Sequence, residues 1–414
     1  MNTMSGHYAR FATVCTLGFV LSACGGGGGG GGGTTPTVIG SPLPPAQLKT
    51  PPPNVPAGHF GLAIFGDDGY GPGNLQIAAL FDSSGAPVAN PVVTKTLLPF
   101  MFDIEDVAIS SDGSYGLVAD GARTLRIMSG FASGAPAVSS TTLDLSATGN
   151  DLDAVRIFEN DDEAVVSMDT KNELLLVSGL LSGKPQTAQS IATPDLRNGL
   201  ALSSDDAVLL ARGYTGVTVY AVSAAKPVQG PLGGWVYHSF AQTQNVTAVP
   251  RLDSADARAG MASDPADSSR AIVVGGGPSL VELTCLPSAA NATAAIPITG
   301  ARDAFSVTIS PDGTTAYVGT DSGIAVFTGI NTGTPTQVQS DTIAVAGGDT
   351  LQQLSDVAMT QDGKYVVAVG RSTLNPSGSN GYLVVLPVTS GGLGAPVTTV
   401  PGVAVPDNNQ IVVQ

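Results

Sequence analysis

The sequence predicts an all-β fold: a seven-bladed β-propeller of four-stranded antiparallel blades behind a disordered N-terminal tether. Three observations carry the prediction. A strand-turn-strand unit recurs along most of the chain, its strands are apolar at nearly every position, and the 414 residues include 53 glycines while only 12% are charged. Glycine supplies the positive φ that tight turns need. Strands without polar alternation are covered on both faces, as a blade stacked between two neighbours is and a half-exposed sandwich is not. No segment shows the helical spacing of a long amphipathic helix.

The N-terminus divides from the rest by composition. Met1 to Arg10 is short and weakly basic, and Phe11 to Leu21 is an apolar run too short to span a bilayer and of signal-peptide length. Leu21-Ser22-Ala23-Cys24 follows. This resembles the lipobox of bacterial lipoproteins, which implies cleavage after residue 23, lipidation of Cys24 and a membrane partner reached through the acyl chains. Gly25 is in the place where an aspartate would favour inner-membrane retention, so the resemblance implies the outer membrane within the cell envelope. Residues 24–58 then read as a linker: the unbroken glycine run Gly25 to Gly33 as flexible coil, the proline-rich Thr34 to Gly58 as a stiffer spacer. A glycine-rich phosphate loop needs a strand before it and a helix after it, and this run has neither.

Residues 59–414 carry the repeats. Ile309 to Pro335 holds a strand end, the turn Ser310-Pro311-Asp312-Gly313, two further strands and a Gly/Thr/Pro turn. Related units surround Asp112, Asp161, Asp205, Asp267 and Asp362, at a spacing of roughly 45 to 60 residues that suits propeller blades. The first unit, from Phe60, lacks a preceding strand. The chain's end, Gln410 to Val413, has a strand with no blade to follow. The two are expected to complete one blade and close the ring, which removes free sheet edges. The sequence Pro311-Asp-Gly-Thr-Thr-Ala-Tyr317-Val318 resembles the YVTN repeats of seven-bladed propellers. The turns Gly134-Ala135-Pro136, Gly333-Thr334-Pro335 and Gly394-Ala395-Pro396 resemble those of the lactonase-like branch of that superfamily. Turn and strand residues specify a fold and not an activity.

The formal charge of −16 repels phosphate backbones, and no basic stripe offsets it, which excludes nucleic acid as a partner. Charged residues gather just ahead of the expected innermost strands. Asp106, Asp153, Arg197, Arg258, Arg302, Asp303 and Asp356 are the candidate ligand-binding set at the channel mouth, where arginine and carboxylate together suit a small polar or anionic molecule. Asp67 and Asp68 are candidate oxygen ligands for a structural calcium ion, although their spacing is not that of an EF-hand. Otherwise no cofactor or metal is expected. Trp235 to Phe240 reads as an outer strand of the fourth blade, and Cys285 as a buried thiol outside any disulfide framework.

Only His59 and His238 remain beyond the signal segment, and no Gly-x-Ser-x-Gly elbow is present. The Ser-x-Asp turns read as backbone caps. No catalytic set maps onto the chain, so the expected function is a binding or scaffolding module for an envelope protein or small polar ligand, not an enzyme. The alternative is the one the lactonase-like resemblance implies: hydrolysis of sugar lactones by acids and arginines of the channel mouth.

Overall fold

The computed structural model describes residues 62–413 apart from 66–73, 98–103, 121–123, 130–136, 146–151, 253–259, 375–380, 406–411 and the single positions 83, 112 and 404. Cys24, the linker, and Asp67 and Asp68 lie outside the described residues. The described chain is an all-β propeller with four-stranded antiparallel blades and, besides strands, only single-turn 3-10 segments.

The strands assort into seven sheets, numbered here in chain order. Six are blades built wholly from consecutive strands. Sheet 2 runs from Ile104–Ile109 to Ala137–Asp144, sheet 3 from Val155–Ile157 to Gln186–Ala192, and sheet 4 from Leu196–Leu202 to Trp235–Val246. Sheet 5 starts at Met261–Ser263, sheet 6 at Ala304–Ile309 and sheet 7 at Leu351–Met359. The count therefore departs from seven like units. Sheet 1 is a composite: Leu62–Phe65, Asn74–Ala79 and Val93–Leu97 receive their innermost strand from the C-terminus, with Ala63 opposite Val413 and Ile64 opposite Val412. That strand lies between the innermost strands of sheets 2 and 7.

Burial explains why the sheets stand side by side. The strands Glu163–Met168 and Val208–Gly213 are buried at every position, so both faces of their sheets need a neighbour. Each interval between successive sheets holds its own apolar core. Phe158 and Leu174 of sheet 3 pack with Leu196 and Tyr220 of sheet 4. Val367 and Leu383 of sheet 7 pack with Ala78 and Leu80 of sheet 1, and Leu75 and Ile77 of sheet 1 with Ile104 and Val107 of sheet 2. The outermost strands are mostly polar where they meet solvent, as Thr336–Asp341 is apart from the exposed Val338.

The turns between the first and second strands cap themselves. Asp312 Oδ1 accepts from Ser310 Oγ at 2.6 Å and from the Thr314 N–H at 3.1 Å, while Gly313 takes φ 68°. Asp205 and Asp362 repeat the arrangement with Ser203 and Thr360. Two units are out of step with the sequence grouping. In sheet 3 the capping place belongs to Asn160, whose Oδ1 accepts from the N–H groups of Asp162 and Glu163, and Asp161 takes the left-handed place with φ 55°. In sheet 5 Asp267 stands in the fourth place, its N–H bonded to the Asp264 carbonyl, and it caps Ser269 instead.

An aspartate in the left-handed place clasps the preceding sheet. Asp161 accepts from the N–H and hydroxyl of Ser111 at 2.7 and 2.8 Å, and Asp206 (φ 57°) accepts from the Glu159 N–H at 2.7 Å. Where that place holds Gly363, the facing residue is Pro311, which has no N–H to donate, and a Cβ on Gly363 would come within 3.2 Å of the proline ring.

Trp235 to Phe240 does lie in the outer strand of sheet 4, and the hairpin it closes reaches over sheet 3. Leu232 and Gly234 donate to the carbonyls of Ala188 and Thr187, and the Trp235 N–H donates to Ser178 Oγ at 2.7 Å. At Gly230 a Cβ would lie 2.1 Å from the Ala188 carbonyl oxygen, so the crossing requires glycine. Cys285 is half-buried rather than buried, with a free thiol.

Burial pushes the Asp206 carboxyl up to about 6, against the Glu159 N–H bond that favours its ionised form. Its folded pKa thus lies above the unfolded value of about 3.9. Its contribution to stability is full below pH 4 and is lost as pH rises to 6. Asp206→Asn keeps an acceptor for Glu159 and removes the charge. The urea midpoint of this variant is expected to fall less between pH 4 and pH 7 than that of the parent chain.

Candidate functional site in the channel

The innermost strands of successive sheets lie against one another and leave a cavity of about 370 Å³ between them. Its walls come from sheets 2, 3, 5, 6 and 7: Asp106 to Ile109, Arg156 and Ile157, Met261, Val307 and Thr308, and Asp356 to Met359. The lining is mostly aliphatic and thioether, with two carboxylates and one guanidinium.

Asp106 organises the polar part. It is 3% exposed, and its Oδ2 accepts from Arg156 Nη1 at 2.5 Å and from the Val155 N–H at 2.8 Å. Its Oδ1 accepts from the Val107 N–H at 2.9 Å. Burial pushes the Asp106 carboxyl up, against the pull of Arg156 and these hydrogen bonds. The Arg156 guanidinium also donates to the Val155 carbonyl at 2.6 Å, and its side chain remains 29% exposed. It is thus a cation held at its root by a buried anion with part of its edge open to the cavity, a geometry suited to a carboxylate or hydroxyl.

The backbone places these groups through a repeated irregularity. The pairing register shifts between Ile104 and Asp106, between Ala304 and Ser306, and between Leu354 and Asp356. A bulge re-aims the residue that follows it. The three residues after these bulges are all polar and buried: Asp106, Ser306 and Asp356. Asp356 Oδ1 accepts from the Val357 N–H at 2.8 Å, as Asp106 does from Val107.

The sequence-derived set divides accordingly. Asp106 and Asp356 share the cavity. Asp153 is buried ahead of the innermost strand of sheet 3, where its N–H donates to the Ser167 carbonyl. Asp303 bridges two sheets, its Oδ1 accepting from the Gly277 N–H at 3.1 Å and from its own Ala304 N–H at 2.9 Å. Arg302 is exposed, and its N–H donates to Asp321 Oδ1. Arg197 lies in the strand Leu196–Leu202 with its side chain outside the described residues, as is the whole of Arg258. Sequence reasoning misses Arg156 because it lies inside a strand and not in the charged segment ahead of one. The signal was a cation inside the otherwise apolar Val155–Ile157, which burial permits only with a partner.

Two buried charged groups outside the cavity are engaged by their own surroundings. Arg212 is fully buried, donates to the carbonyls of Gly216 and Pro250, and has its pKa lowered to about 10 by burial. Burial acts to raise the Asp349 carboxyl, but hydrogen bonds from Ser372, Thr373, Thr350 and Leu374 outweigh it and hold the group well below the usual carboxylate range. Among the described residues no cluster of three or more His, Cys, Asp or Glu side chains could hold a metal ion.

No family model matches the chain, and no curated protein matches it in sequence. Solved structures match in fold. A functionally unknown protein from Desulfotomaculum acetoxidans is 18% identical with a TM-score of 0.60, covering 85% of this chain and 98% of its own. The periplasmic gluconolactonase PpgL of Pseudomonas aeruginosa is 14% identical with a TM-score of 0.59, covering 85% and 99%. A proposed 6-phosphogluconolactonase from Bacteroides uniformis is 15% identical with a TM-score of 0.59, covering 82% and 99%. At these identities the likeness concerns the propeller fold alone.

Asp106→Ala strips Arg156 and the Val155 N–H of their acceptor. It is expected to cost about 3 kcal/mol or more in chemical denaturation. Arg156→Met, which leaves Asp106 two backbone donors, is expected to cost less.

Proposed function

We propose that the chain is a lipid-anchored envelope protein whose seven sheets close as a ring of seven blades, and that its channel binds a small hydroxylated organic acid or the corresponding lactone. The single observation that carries the ligand reading is the Asp106–Arg156 pair: a guanidinium fixed at 2.5 Å by a buried carboxylate, in the cavity that Asp356 also lines. Arginine recognises a carboxylate or carbonyl oxygen through paired N–H bonds, and a second carboxylate accepts hydrogen bonds from hydroxyl groups. The composite sheet 1 and the cores on both its sides support the seven-blade count. The Leu21-to-Cys24 motif and the linker support a tethered domain that reaches its ligand or an envelope partner away from the lipid.

Hydrolysis of a sugar lactone at the same site is the second reading. The fold it shares with PpgL and the Bacteroides uniformis structure favours it. In that reading Arg156 stabilises the oxyanion formed as water adds to the lactone carbonyl and Asp356 takes the water's proton; the intermediate then collapses with cleavage of the ring C–O bond, and Asp356 returns the proton to the leaving ring oxygen. Asp106, whose oxygens are already occupied by Arg156 and backbone donors, positions the guanidinium.

Calorimetric titration of the soluble domain with D-gluconate and glucono-1,5-lactone tests both readings. Saturable binding that Arg156→Met abolishes is expected. Release of gluconate at a rate that Asp356→Asn lowers by about a hundredfold or more would favour hydrolysis. Binding unaffected by Arg156→Met would remove the channel from the account. For the anchor, Cys24→Ser is expected to move the protein from the membrane to the soluble fraction. A variant that still sediments with membranes would contradict it.

A further inference from the structure

The strands of each sheet alternate in direction in the same way, so the propeller has two distinct faces. An innermost strand starts at one face, as Ile104 and Ala304 do opposite Asp120 and Thr320. It ends at the other, the face of the first turns, where the second strand begins. Sheet 1 obeys the same order. Its second strand is Leu62–Phe65, with Leu62 opposite Ala79. The chain that runs from Cys24 therefore joins the propeller at the first-turn face.

That face carries a protruding apolar tip. In sheet 4 the second strand begins at Val208, which pairs with Ala221, yet the third and outer strands continue past it until Gln229 stands opposite Trp235. Backbone bonds from Leu232 and Gly234 to the carbonyls of Ala188 and Thr187 hold the tip on sheet 3. Its side chains face out, with Val228 55% and Leu232 45% exposed. Leu181 is exposed in the turn that follows Ser178, and Ser178 Oγ accepts from the Trp235 N–H at the foot of the tip. At the point where the chain enters, Val92 is 72% exposed, and its carbonyl accepts from the Ala79 N–H. Exposed apolar residues scattered singly are ordinary. These share the face to which the N-terminal segment is attached.

The charges of the face come in two kinds. Lys184 and Lys226, both exposed, flank the apolar tip. Asp205, Asp312 and Asp362, the capping acids of the first turns, are exposed closer to the innermost strands. A zwitterionic lipid surface offers a partner to each, its phosphates lying deeper than its ammonium groups. An anionic surface would repel the aspartates.

We propose that the first-turn face docks on the bilayer that holds the acyl chains of Cys24. Val228, Leu232 and Leu181 enter among the headgroups, Lys184 and Lys226 meet phosphates, and the turn aspartates meet headgroup ammonium groups. The proposal rests on the lipid-anchor reading. A tether keeps the local concentration of lipid high, so a contact too weak to hold a free domain suffices. Trp235, half-buried at the foot of the tip, then lies at the headgroup level that tryptophan favours. Docking in this attitude turns the opposite face, where the innermost strands start, away from the lipid and toward soluble ligands.

Trp235 is the chain's one tryptophan, so its emission reports this hairpin alone. The test is the acylated protein reconstituted into vesicles of phosphatidylethanolamine and phosphatidylcholine, with the lipid tails brominated near the headgroup. Mass spectrometry of the N-terminal peptide reads the acylation of Cys24 separately, so a failed anchor and a failed docking are told apart. Brominated lipid is expected to quench Trp235 and shift its emission to the blue. Val228→Asp with Leu232→Asp is expected to lower the quenching by about fivefold or more while the protein stays acylated and vesicle-bound. Leu181→Asp, in another sheet, is expected to act in the same direction, and it carries the test if the double variant does not fold. Trp235 left unquenched in acylated, vesicle-bound protein would overturn the proposal. So would quenching that these variants leave unchanged, or quenching that requires phosphatidylglycerol in the vesicles. A dimer in detergent micelles that the double variant dissociates would assign the tip to a second copy and overturn it as well.

Discussion

The structure depends on one constraint: a sheet whose two faces are both apolar must be covered on both. A blade from this chain therefore has no stable place except between two others. A row of such blades leaves an uncovered face at each end, which ring closure removes. Sheet 1 is where the constraint is met, because it is assembled from both ends of the propeller and carries a core on each side. Once the innermost strands are brought together around one axis, two of the polar residues after their bulges, Asp106 and Asp356, line the channel.

That geometry explains why so much charge in the chain does architectural work and so little is left open. Aspartates in the capping place of the first turns bond their own turn, and two others in the left-handed place reach to the preceding sheet. Asp303 and Asp349 tie neighbouring segments through backbone N–H groups. Arg156 differs in kind. A buried partner holds it in position while part of its edge opens on a cavity. Positions where burial and exposure meet on one side chain are where a propeller built for packing can acquire chemistry.

The fold was legible in the sequence because it rests on local signals. Turn residues at positive φ, uninterrupted apolar strands and the missing first strand each state a requirement that a propeller meets. The site was legible in part. Asp106 and Asp356 could be reached by noting acids ahead of apolar strands, but Arg302 and Asp303 look the same in sequence and are used to bond turns. The difference lies in the bulges, which turn one position of a strand inward and have no local sequence marker. Asn160 was hidden for a related reason: its unit is shifted by one residue, so the capping role passed from the expected Asp161 to its neighbour. The exposed tip at Leu232 depends on a hairpin that is longer than its counterparts and crosses to another sheet, a tertiary event no periodicity records.

A channel that is a ligand site organised by Arg156 and one that is only a by-product of ring closure differ in what they hold when ligand is present. The most direct measurement is a crystal structure of the propeller grown with D-gluconate. The expected result is the ligand's carboxylate on the Arg156 guanidinium and a hydroxyl on Asp356, with the Asp106–Arg156 pair intact. A channel holding only water under saturating ligand, with gluconate absent or bound elsewhere, would contradict it.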